Sequence, residues 1–372
     1  MEHSKRQHTR CPLDKNLLHL YVDSLLSTFS RSTATSVSAM IDGAYSHDSI
    51  TRFLSDRQLT SRDLWYQVKS IVRAIESDYG ILIVDDSISH KPHMDENDIV
   101  CWHYDHSSGK SVKGINIVSV LYHSQGLSIP VAYTLVEKTE HSIDSTTGKE
   151  KRVSTTSKNE HFRAMLAQSA KNMRFRYVLS DVWYASVENM KYIKNTLHRD
   201  FVMPLKTNRK VALSAAEKRA GKYVTVETLQ PKVNEHLTVY LEGLTFSVRL
   251  IRQVFINKDH SQGVLYLACS DTTLTYQHMI DLYQKRWKIE EYHKALKQQC
   301  ALSCSPAHTV TTQSSHIFCS LCAFVKLELM HRIMAVSYEG LKINLHLHAL
   351  KTAFKYLKTL QPLDWATKPI FA

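Results

Sequence analysis

The sequence predicts an α/β protein in which a mixed β-sheet core is flanked by helical regions at both ends of the chain. Changes in hydrophobic spacing support this prediction. Apolar residues recur at helical spacing over residues 13–78, change to short β-rich runs from residue 79, and return to helical spacing from about residue 275. The 372 residues are enough for two or three domains with cores of their own.

The N-terminal region is predicted to be helical. Within it, residues 34–41 and 47–54 form two short apolar-periodic segments around Gly43. Two short helices around such a turn fit a helix-turn-helix, a motif that binds DNA, and fit an ordinary helical bundle equally well. A further helix is predicted at 61–77.

Acidic residues follow two predicted strands of the sheet. The apolar run at 80–84 predicts a buried central strand that ends at Asp85 and Asp86, and the strand at 175–179 ends near Asp181. Each acid alone would be read as a turn or helix cap. Together, on neighbouring strands, they supply the oxygen ligands that a hard cation such as Mg²⁺ prefers.

A third charged cluster lies in the segment YQKRWKIEEYHKALK, residues 283–297. Tyr283, Arg286, Glu290 and Lys297 are separated by 3, 4 and 7 residues, so one continuous helix would place all four on one narrow face. A carboxylate beside two cations and a phenol suits a metal ion next to a phosphate. A solvated charged helix face is the common alternative.

This spacing, Y-x-x-R-x-x-x-E-x-x-x-x-x-x-K, resembles the signature of the insertion-sequence-four family of bacterial DDE transposases. The segments VDDS (84–87) and LSDVWY (179–184) resemble the first two catalytic blocks of that family. The resemblance covers residues 80–300 well, and the two ends of the chain only in general layout. It implies an RNase H-like mixed sheet core with a β-rich insertion between the second and third acids.

The resemblance also implies a catalytic triad that binds two Mg²⁺ ions, for which Mn²⁺ may substitute. Matched by position, the triad is Asp86, Asp181 and Glu290. Asp86 is preferred to Asp85 because the family's aspartate directly precedes a Ser or Thr, as Asp86 precedes Ser87. Asp85 remains the alternative first ligand.

Further residues are implied to contact DNA. By position, Tyr283, Arg286 and Lys297 contact the backbone near the cleaved end. Trp287 lies next to the charged face and is a candidate for stacking on a displaced base, as is the aromatic pair at 183–184. Aromatic residues in such places are more often part of the core.

Five regions follow from these predictions. We expect a helical DNA-binding region at 1–78, the first part of the catalytic core at 79–206, and its second part, with the Glu290 helix, at 271–304. The β-rich insertion occupies 207–270, and a helical C-terminal region occupies 305–372.

Charge supports a polyanionic partner. The chain carries 47 Lys and Arg against 35 Asp and Glu, and residues 151–222 alone carry 16 basic and 5 acidic residues. Such a segment is typical of a surface that faces phosphate, although a solvated surface would have the same composition. The partners expected are double-stranded DNA, as transposon terminal inverted repeats and target DNA, and a second copy of the chain in a homodimer on DNA.

The remaining features fit a bacterial cytoplasmic protein associated with the nucleoid. The first ten residues are polar, the longest nearly apolar run (317–325) is too short to span a bilayer, and the seven cysteines show no framework spacing. The expected reaction is cut-and-paste transposition through a DNA hairpin. The alternatives are a domesticated or host RNase H-like DNA nuclease and a catalytically inactive basic DNA-binding protein.

Overall fold

The computed structural model describes residues 13–28, 31–105, 108–143, 148–232, 234–256 and 259–359. The helices are α1 (Lys15–Ser27), α2 (Ala34–Met40), α3 (His47–Ser55), α4 (Ser61–Ile75), α5 (Lys158–Asn172), α6 (Val187–Lys191), α7 (Ala215–Arg219), α8 (Val226–Leu229), α9 (Tyr276–Gln284), α10 (Trp287–Gln298), α11 (Val310–Met334) and α12 (Tyr338–Thr359). A π-helical turn, Tyr192–Thr196, follows α6 directly.

The strands fall into one large sheet and one separate hairpin. They are β1 (Ile81–His90), β2 (Cys101–Asp105), β3 (Lys110–Ser124), β4 (Leu127–Leu135), β5 (Glu140–Ile143), β6 (Glu150–Val153), β7 (Tyr177–Ser180), β8 (Asp200–Leu205), β9 (Lys210–Ala212), β10 (Val224–Thr225), β11 (His236–Leu241), β12 (Val248–Ile256) and β13 (Gln262–Cys269). The hairpin consists of β5 and β6.

Five strands of the sheet, in the order β4-β3-β1-β7-β8, correspond to the predicted core. β1, β7 and β8 run parallel to one another, while β3 runs antiparallel to both β1 and β4. The first four residues of β1 are fully buried, as expected for a central strand. This order and these directions are those of an RNase H-like core, which confirms the predicted fold class.

The β-rich insertion extends the same sheet. β13 pairs antiparallel with β8, and β12, β11, β9 and β10 follow outward in that order. The insertion predicted at 207–270 is thus mostly β-structure, although β10 has only two residues and is followed directly by the short helix α8. The second part of the core returns through α9 and α10, and α10 packs on β1.

The helical ends of the chain pack on each other. α1 and α3 lie against α11, and α4 lies against β4. In the buried interface between α1 and α11, the Tyr21 hydroxyl lies 3.0 Å from Nδ1 of His316, whose Nε2 lies 3.0 Å from the carbonyl oxygen of Ala301. The predicted helical regions at 1–78 and 305–372 also include residues 1–12 and 360–372, which lie outside the described residues.

Two local predictions differ from the structure. β1 does not end at Asp85 and Asp86 but continues to His90, because β3 pairs with it along its whole length. The predicted continuous helix from about 275 to 299 is instead the two helices α9 and α10. Hydrogen bonds between residues three apart, including Arg286 N–H to the Tyr283 carbonyl, tighten the chain at this junction.

In the part of the chain that the structure describes, no helix has both the length and the apolar character needed to span a bilayer.

The buried His316 predicts acid sensitivity. Burial lowers its pKa from about 6.5 to about 4. Between these values the unfolded chain binds the proton more readily than the folded chain, so the free energy of unfolding falls as the pH drops from about 6.5 to about 4. His316→Gln should remove up to about 3 kcal/mol of this fall, measured by urea denaturation across that range.

The exposed His348→Gln is the control and should leave the pH dependence unchanged. Burial also lowers the pKa values of His103 and His123 to about 4, so some slope should remain in the His316 variant. Identical slopes for wild type and His316→Gln would contradict the assignment.

Candidate active site

Asp85 and Asp86 lie on β1 just beyond the point where its neighbour β7 ends, while its other neighbour, β3, continues beside them. β7 pairs with β1 only as far as Val84, opposite Ser180, whereas β3 pairs with β1 to His90. The carboxylates of Asp85 and Asp86 therefore lie in the half of β1 that has no partner on the β7 side. Successive side chains on a strand point to opposite faces, so the two carboxylates have different surroundings.

The Asp86 carboxylate accepts three hydrogen bonds. Oδ2 accepts from Nδ2 of Asn116 and Nζ of Lys158, each at 2.7 Å, and Oδ1 accepts from the Tyr184 hydroxyl at 2.8 Å. Burial would raise the pKa of Asp86, but the charge of Lys158 and the three hydrogen bonds together lower it below its usual value. Asp86 is therefore held as a carboxylate.

The Asp85 carboxylate has the opposite balance. Its Oδ1 accepts the backbone N–H of Asp86 at 2.8 Å. Burial, and then the negative charges of Asp181 and Asp86, raise the pKa of Asp85 to about 8, against a smaller lowering by Arg286. The positive charge near Asp85 is thus not enough to offset its burial and the two neighbouring carboxylates.

Asp181 directly follows β7, as predicted. Its Oδ1 accepts the backbone N–H groups of Trp183 and Tyr184 at 3.1 and 3.3 Å, which fixes the carboxylate at the start of the turn after the strand. Burial raises the pKa of Asp181, and the nearby charge of Asp86 adds to this effect.

The junction between α9 and α10 holds the predicted Tyr-Arg-Glu-Lys residues. Nη1 of Arg286 lies 3.1 Å from Oε1 of Glu290, and its guanidinium lies 5.7 Å from the centre of the Tyr283 ring. Burial raises the pKa of Tyr283 to about 12. Lys297 lies in the last turn of α10, near the negative charges of Asp105 and Glu290.

One cavity of about 480 Å³ brings most of these groups together. It is lined by Asp85, Asp86, Ser87, Ile88, His90, Tyr104, Asp105, Lys158, Asp181, Trp183, Glu290, His293, Lys294, Lys297 and Gln298. The three acids of the predicted triad and Lys297 share this cavity, while Tyr283 and Arg286 do not line it. Trp183 lines the cavity and is 48% exposed, whereas Trp287 is 61% exposed and lies outside the lining.

Several residues of the site have no sequence motif that identifies them. Lys158 is the first residue of α5, which begins at a capping box between Ser157 and Glu160. Asn189 links the surrounding loops, because its Nδ2 donates to the Tyr184 carbonyl oxygen at 2.9 Å and to Oδ1 of Asn159 at 2.8 Å. The basic composition of 151–222 indicated that cations lie in this segment, but not which of them reaches the acids.

Tyr184 serves the core and the site together. It is fully buried and its ring stacks on Phe162, with ring centroids 5.2 Å apart. Its hydroxyl reaches Asp86. Because its ring is buried against Phe162, it is not available to a displaced base. Of the two interpretations of Tyr184, stacking on a base or packing in the core, the structure supports packing in the core.

The donor chemistry of the cavity fits a hard divalent cation. Five carboxylates line it, at Asp85, Asp86, Asp105, Asp181 and Glu290, and burial among like charges raises the pKa of Asp85. As placed, Asp86 pairs with Lys158 and Glu290 pairs with Arg286. Accordingly, no three His, Cys, Asp or Glu side chains among the described residues are grouped closely enough to hold one ion. Binding of metal requires these ion pairs to rearrange.

The pair between Lys158 and Asp86 should be strongly coupled. Its side chains are 25% and 16% exposed, so water screens the pair weakly. In a double-mutant cycle with Lys158→Met and Asp86→Asn, we expect a coupling energy of about 1–3 kcal/mol from chemical denaturation. The exposed pair between Arg174 and Asp78 is the control, with coupling near zero. Additive effects at Lys158 and Asp86 would show that the contact is not formed.

Comparison with known proteins identifies the family. A family model described as DDE superfamily endonuclease matches residues 4–224, more than half of the chain. The match contains Asp86 and Asp181 but ends before Glu290, so it does not test the resemblance to the insertion-sequence-four family or the Tyr-Arg-Glu-Lys signature.

Two further comparisons accompany this match. No curated protein matches the chain. A solved structure of the Drosophila P element transposase strand transfer complex aligns over 96% of this chain and 89% of its own, with 8% identity and a TM-score of 0.28, a value at which the overlay does not establish a shared fold. The family match covers both β1 and β7 with their acids, and the chain belongs to the DDE superfamily endonuclease family.

Proposed function

We propose that this protein is a DNA transposase that cuts a transposon at its terminal inverted repeats and joins the ends to target DNA. One observation carries the proposal: acids from three separate parts of the chain, Asp86, Asp181 and Glu290, line a single cavity together with lysines. Membership of a DDE endonuclease family supports the nuclease chemistry. Cut-and-paste transfer through a DNA hairpin is the finer part of the proposal and rests on the sequence resemblance.

Asp86, Asp181 and Glu290 are the proposed ligands of two Mg²⁺ ions. Asp85 is the alternative to Asp86. When bound, the metal would activate the attacking water or 3′-hydroxyl and stabilise the leaving oxygen. Mn²⁺ offers the same oxygen coordination and is expected to substitute.

The residues of the chain supply position and charge. Arg286 holds Glu290 at 3.1 Å and stacks over Tyr283, so this face of the α9–α10 junction is ordered before substrate arrives. In the proposal, Tyr283, Arg286 and Lys297 contact the DNA backbone beside the cleaved bond. Lys158 pairs with Asp86 at 2.7 Å, and its ammonium group would be available to a phosphate if Asp86 held a metal ion instead.

Binding of the DNA outside the cavity is assigned to two parts of the chain. The basic residues of 151–222 would contact phosphates, and their number makes the affinity fall steeply with salt. The helical region at 1–78 is proposed to bind the terminal repeat. The six residues between α2 and α3 exceed the three or four of a typical helix-turn-helix, so this recognition need not use that motif.

Replacement of Glu290 tests the proposal. Glu290→Gln keeps the side-chain shape but removes the charge. Loss of an outer-shell partner already costs roughly 10–100-fold in metal-dependent activity, so loss of a ligand should lower Mg²⁺-dependent cleavage of a terminal-repeat duplex at least a hundredfold. DNA binding in a filter or anisotropy assay should be retained.

The neighbouring Glu291→Gln is the matched control. Glu291 pairs with Lys288 at 2.8 Å and does not line the cavity, so its replacement should leave cleavage unchanged. Equal cleavage by wild type and Glu290→Gln would remove Glu290 from the site. A wild-type protein that binds the duplex but never cuts it, with Mg²⁺ or Mn²⁺ and with a pre-nicked end, would favour a DNA-binding protein without catalysis.

We further propose that two copies of the chain assemble through α12. Among the described residues of this helix, only Leu341 is buried. Five exposed apolar residues follow one another at spacings of 4, 3, 4 and 3, the heptad pattern with which helices pair. They are Ile343, Leu347, Leu350, Phe354 and Leu357. Two copies present the same stripe to each other, as in a two-fold symmetric interface.

Charge beside the stripe gives the dimer a distinctive salt dependence. Lys351 and Lys358 occupy positions that flank the stripe, and no acidic residue follows Glu339 in α12. Like charges would oppose pairing of two copies at low ionic strength. We therefore expect association to strengthen as salt is added, in contrast to DNA binding.

A substitution on the stripe tests this interface. Leu350→Gln should weaken dimerisation measured by sedimentation equilibrium, because it places an amide in the seam. Leu345→Gln is the matched control, since Leu345 is also exposed but lies on the opposite side of the helix. A Leu350→Gln variant that associates as strongly as the Leu345→Gln variant would exclude α12 as the interface.

A further inference from the structure

We propose that β2 provides a binding track for unpaired DNA leading out of the catalytic cavity, with bases stacked on Trp102 and Tyr104. The inference rests on the proposed function in assuming that the chain acts on DNA. This site lies outside the proposed catalytic residues and binds unpaired rather than duplex DNA.

The track begins with the alternation of side chains along β2. Cys101 and His103 are buried, whereas Trp102 and Tyr104 are 53% and 55% exposed. Alternate residues of a strand share a face, so the two large aromatic rings stand side by side on the open face of β2. Trp102 lies opposite Lys113 of β3, whose Nζ is 6.0 Å from the centre of the indole ring.

The two rings connect two cavities. Tyr104 lines the catalytic cavity with Asp86, Asp181 and Glu290. Trp102 lines a second cavity of about 490 Å³, formed between β2 and the β5–β6 hairpin. A strand that leaves the catalytic cavity past Tyr104 therefore reaches Trp102 and then the second cavity without leaving the protein surface.

The second cavity carries the charge that a phosphate chain requires. Its lining includes the cations Lys138, Lys151 and Arg152, against the acids Glu96 and Glu150. With Lys113 beside the indole, four cations lie around Trp102 and this second cavity, against the two acids of its lining.

Internal contacts hold part of this basic wall in place. Nζ of Lys138 donates to the Trp102 carbonyl oxygen at 2.7 Å, so this cation is tied to the strand that carries the rings. Nη1 of Arg152 lies 3.2 Å from both the Lys138 carbonyl oxygen and Oδ1 of Asp98. A groove of aromatic side chains interleaved with fixed cations is the usual design of a surface that binds single-stranded nucleic acid.

The geometry selects unpaired rather than duplex DNA. Residues two apart on a strand are separated by about 6.6 Å, roughly twice the 3.4 Å rise of a duplex. Bases that stack on both rings must therefore be separated from each other, and in a duplex both faces of each base are already covered. The occupant that fits is a short unpaired segment next to the scissile bond.

The test compares binding of two probes by the 372-residue chain in the absence of divalent metal. One probe is a blunt terminal-repeat duplex and the other is the same duplex with a short oligothymidine extension. Wild type should prefer the extended probe in fluorescence anisotropy. Trp102→Ala and Tyr104→Ala should each lose about tenfold in affinity for the extended probe only, and Trp102→Phe should recover most of it.

Tyr79→Ala is the matched control. Tyr79 is 72% exposed, its ring lies 5.9 Å from the guanidinium of Arg176, and it precedes β1 at the end away from the acids. It should bind both probes like wild type. Bromodeoxyuridine in the extension gives a second readout, since its photocrosslinks should map to β2 in wild type and disappear in Trp102→Ala.

Each outcome separates this inference from the proposed function. If Trp102→Ala and Tyr104→Ala prefer the extended probe as strongly as wild type does, the track on β2 is refuted, whatever the Glu290 experiment shows. An equal loss of affinity for both probes would also refute it, because duplex binding alone would then be affected. A selective loss supports the track even if the chain proves unable to cut DNA.

Discussion

The burial of like-charged carboxylates is the constraint on which the rest of the site depends. Asp85, Asp86 and Asp181 lie close together on two neighbouring strands, and their mutual repulsion is unfavourable in a poorly solvated pocket. The structure offsets part of this cost with Lys158 at Asp86. The carboxyl group of Asp85 remains without such a partner, and the elevation of its pKa shows that the compensation is incomplete.

The sheet holds these charges together because of how its strands end. The parallel pairing of β7 with β1 stops at Val84, so the acids after it face a cavity rather than another strand. The long partner β3 keeps the exposed half of β1 extended and supplies Asn116 to Asp86. α10 then packs on β1 and brings Glu290 to the same cavity. The sheet and α10 thus hold close together side chains that repel each other.

The sequence was informative where one local pattern determines the outcome. The apolar run at 80–84 and the strand before Asp181 both lie inside the sheet, as predicted, although β1 continues beyond its predicted end to His90. The long helix predicted over 275–299 divides into two at residues 285–286, where backbone hydrogen bonds join residues three apart. Helical spacing alone contains no signal for such a junction.

The residues that sequence reasoning missed act across long distances in the chain. Lys158 is 72 residues from its partner Asp86, and Tyr184 is 98 residues from it. Lys158 belongs to no motif, and the composition of a basic segment does not show which lysine points inward. Tyr184 lies in the segment LSDVWY, but that pattern does not indicate that its hydroxyl bonds to Asp86. The β5–β6 hairpin was also missed, because its short strands are polar and largely exposed. It nevertheless forms one wall of the second cavity.

The central claim is that the clustered carboxylates form a divalent cation site. Titration of the metal-free protein with Mn²⁺, followed by electron paramagnetic resonance, tests it most directly in wild type, Asp181→Asn and a control, Asp200→Asn. Asp200 is a similarly shielded acid that pairs with Lys194 at 2.6 Å outside the cavity. The account predicts that Asp181→Asn weakens Mn²⁺ binding at least about tenfold while Asp200→Asn binds like wild type. Equal Mn²⁺ affinity in wild type and Asp181→Asn would contradict it.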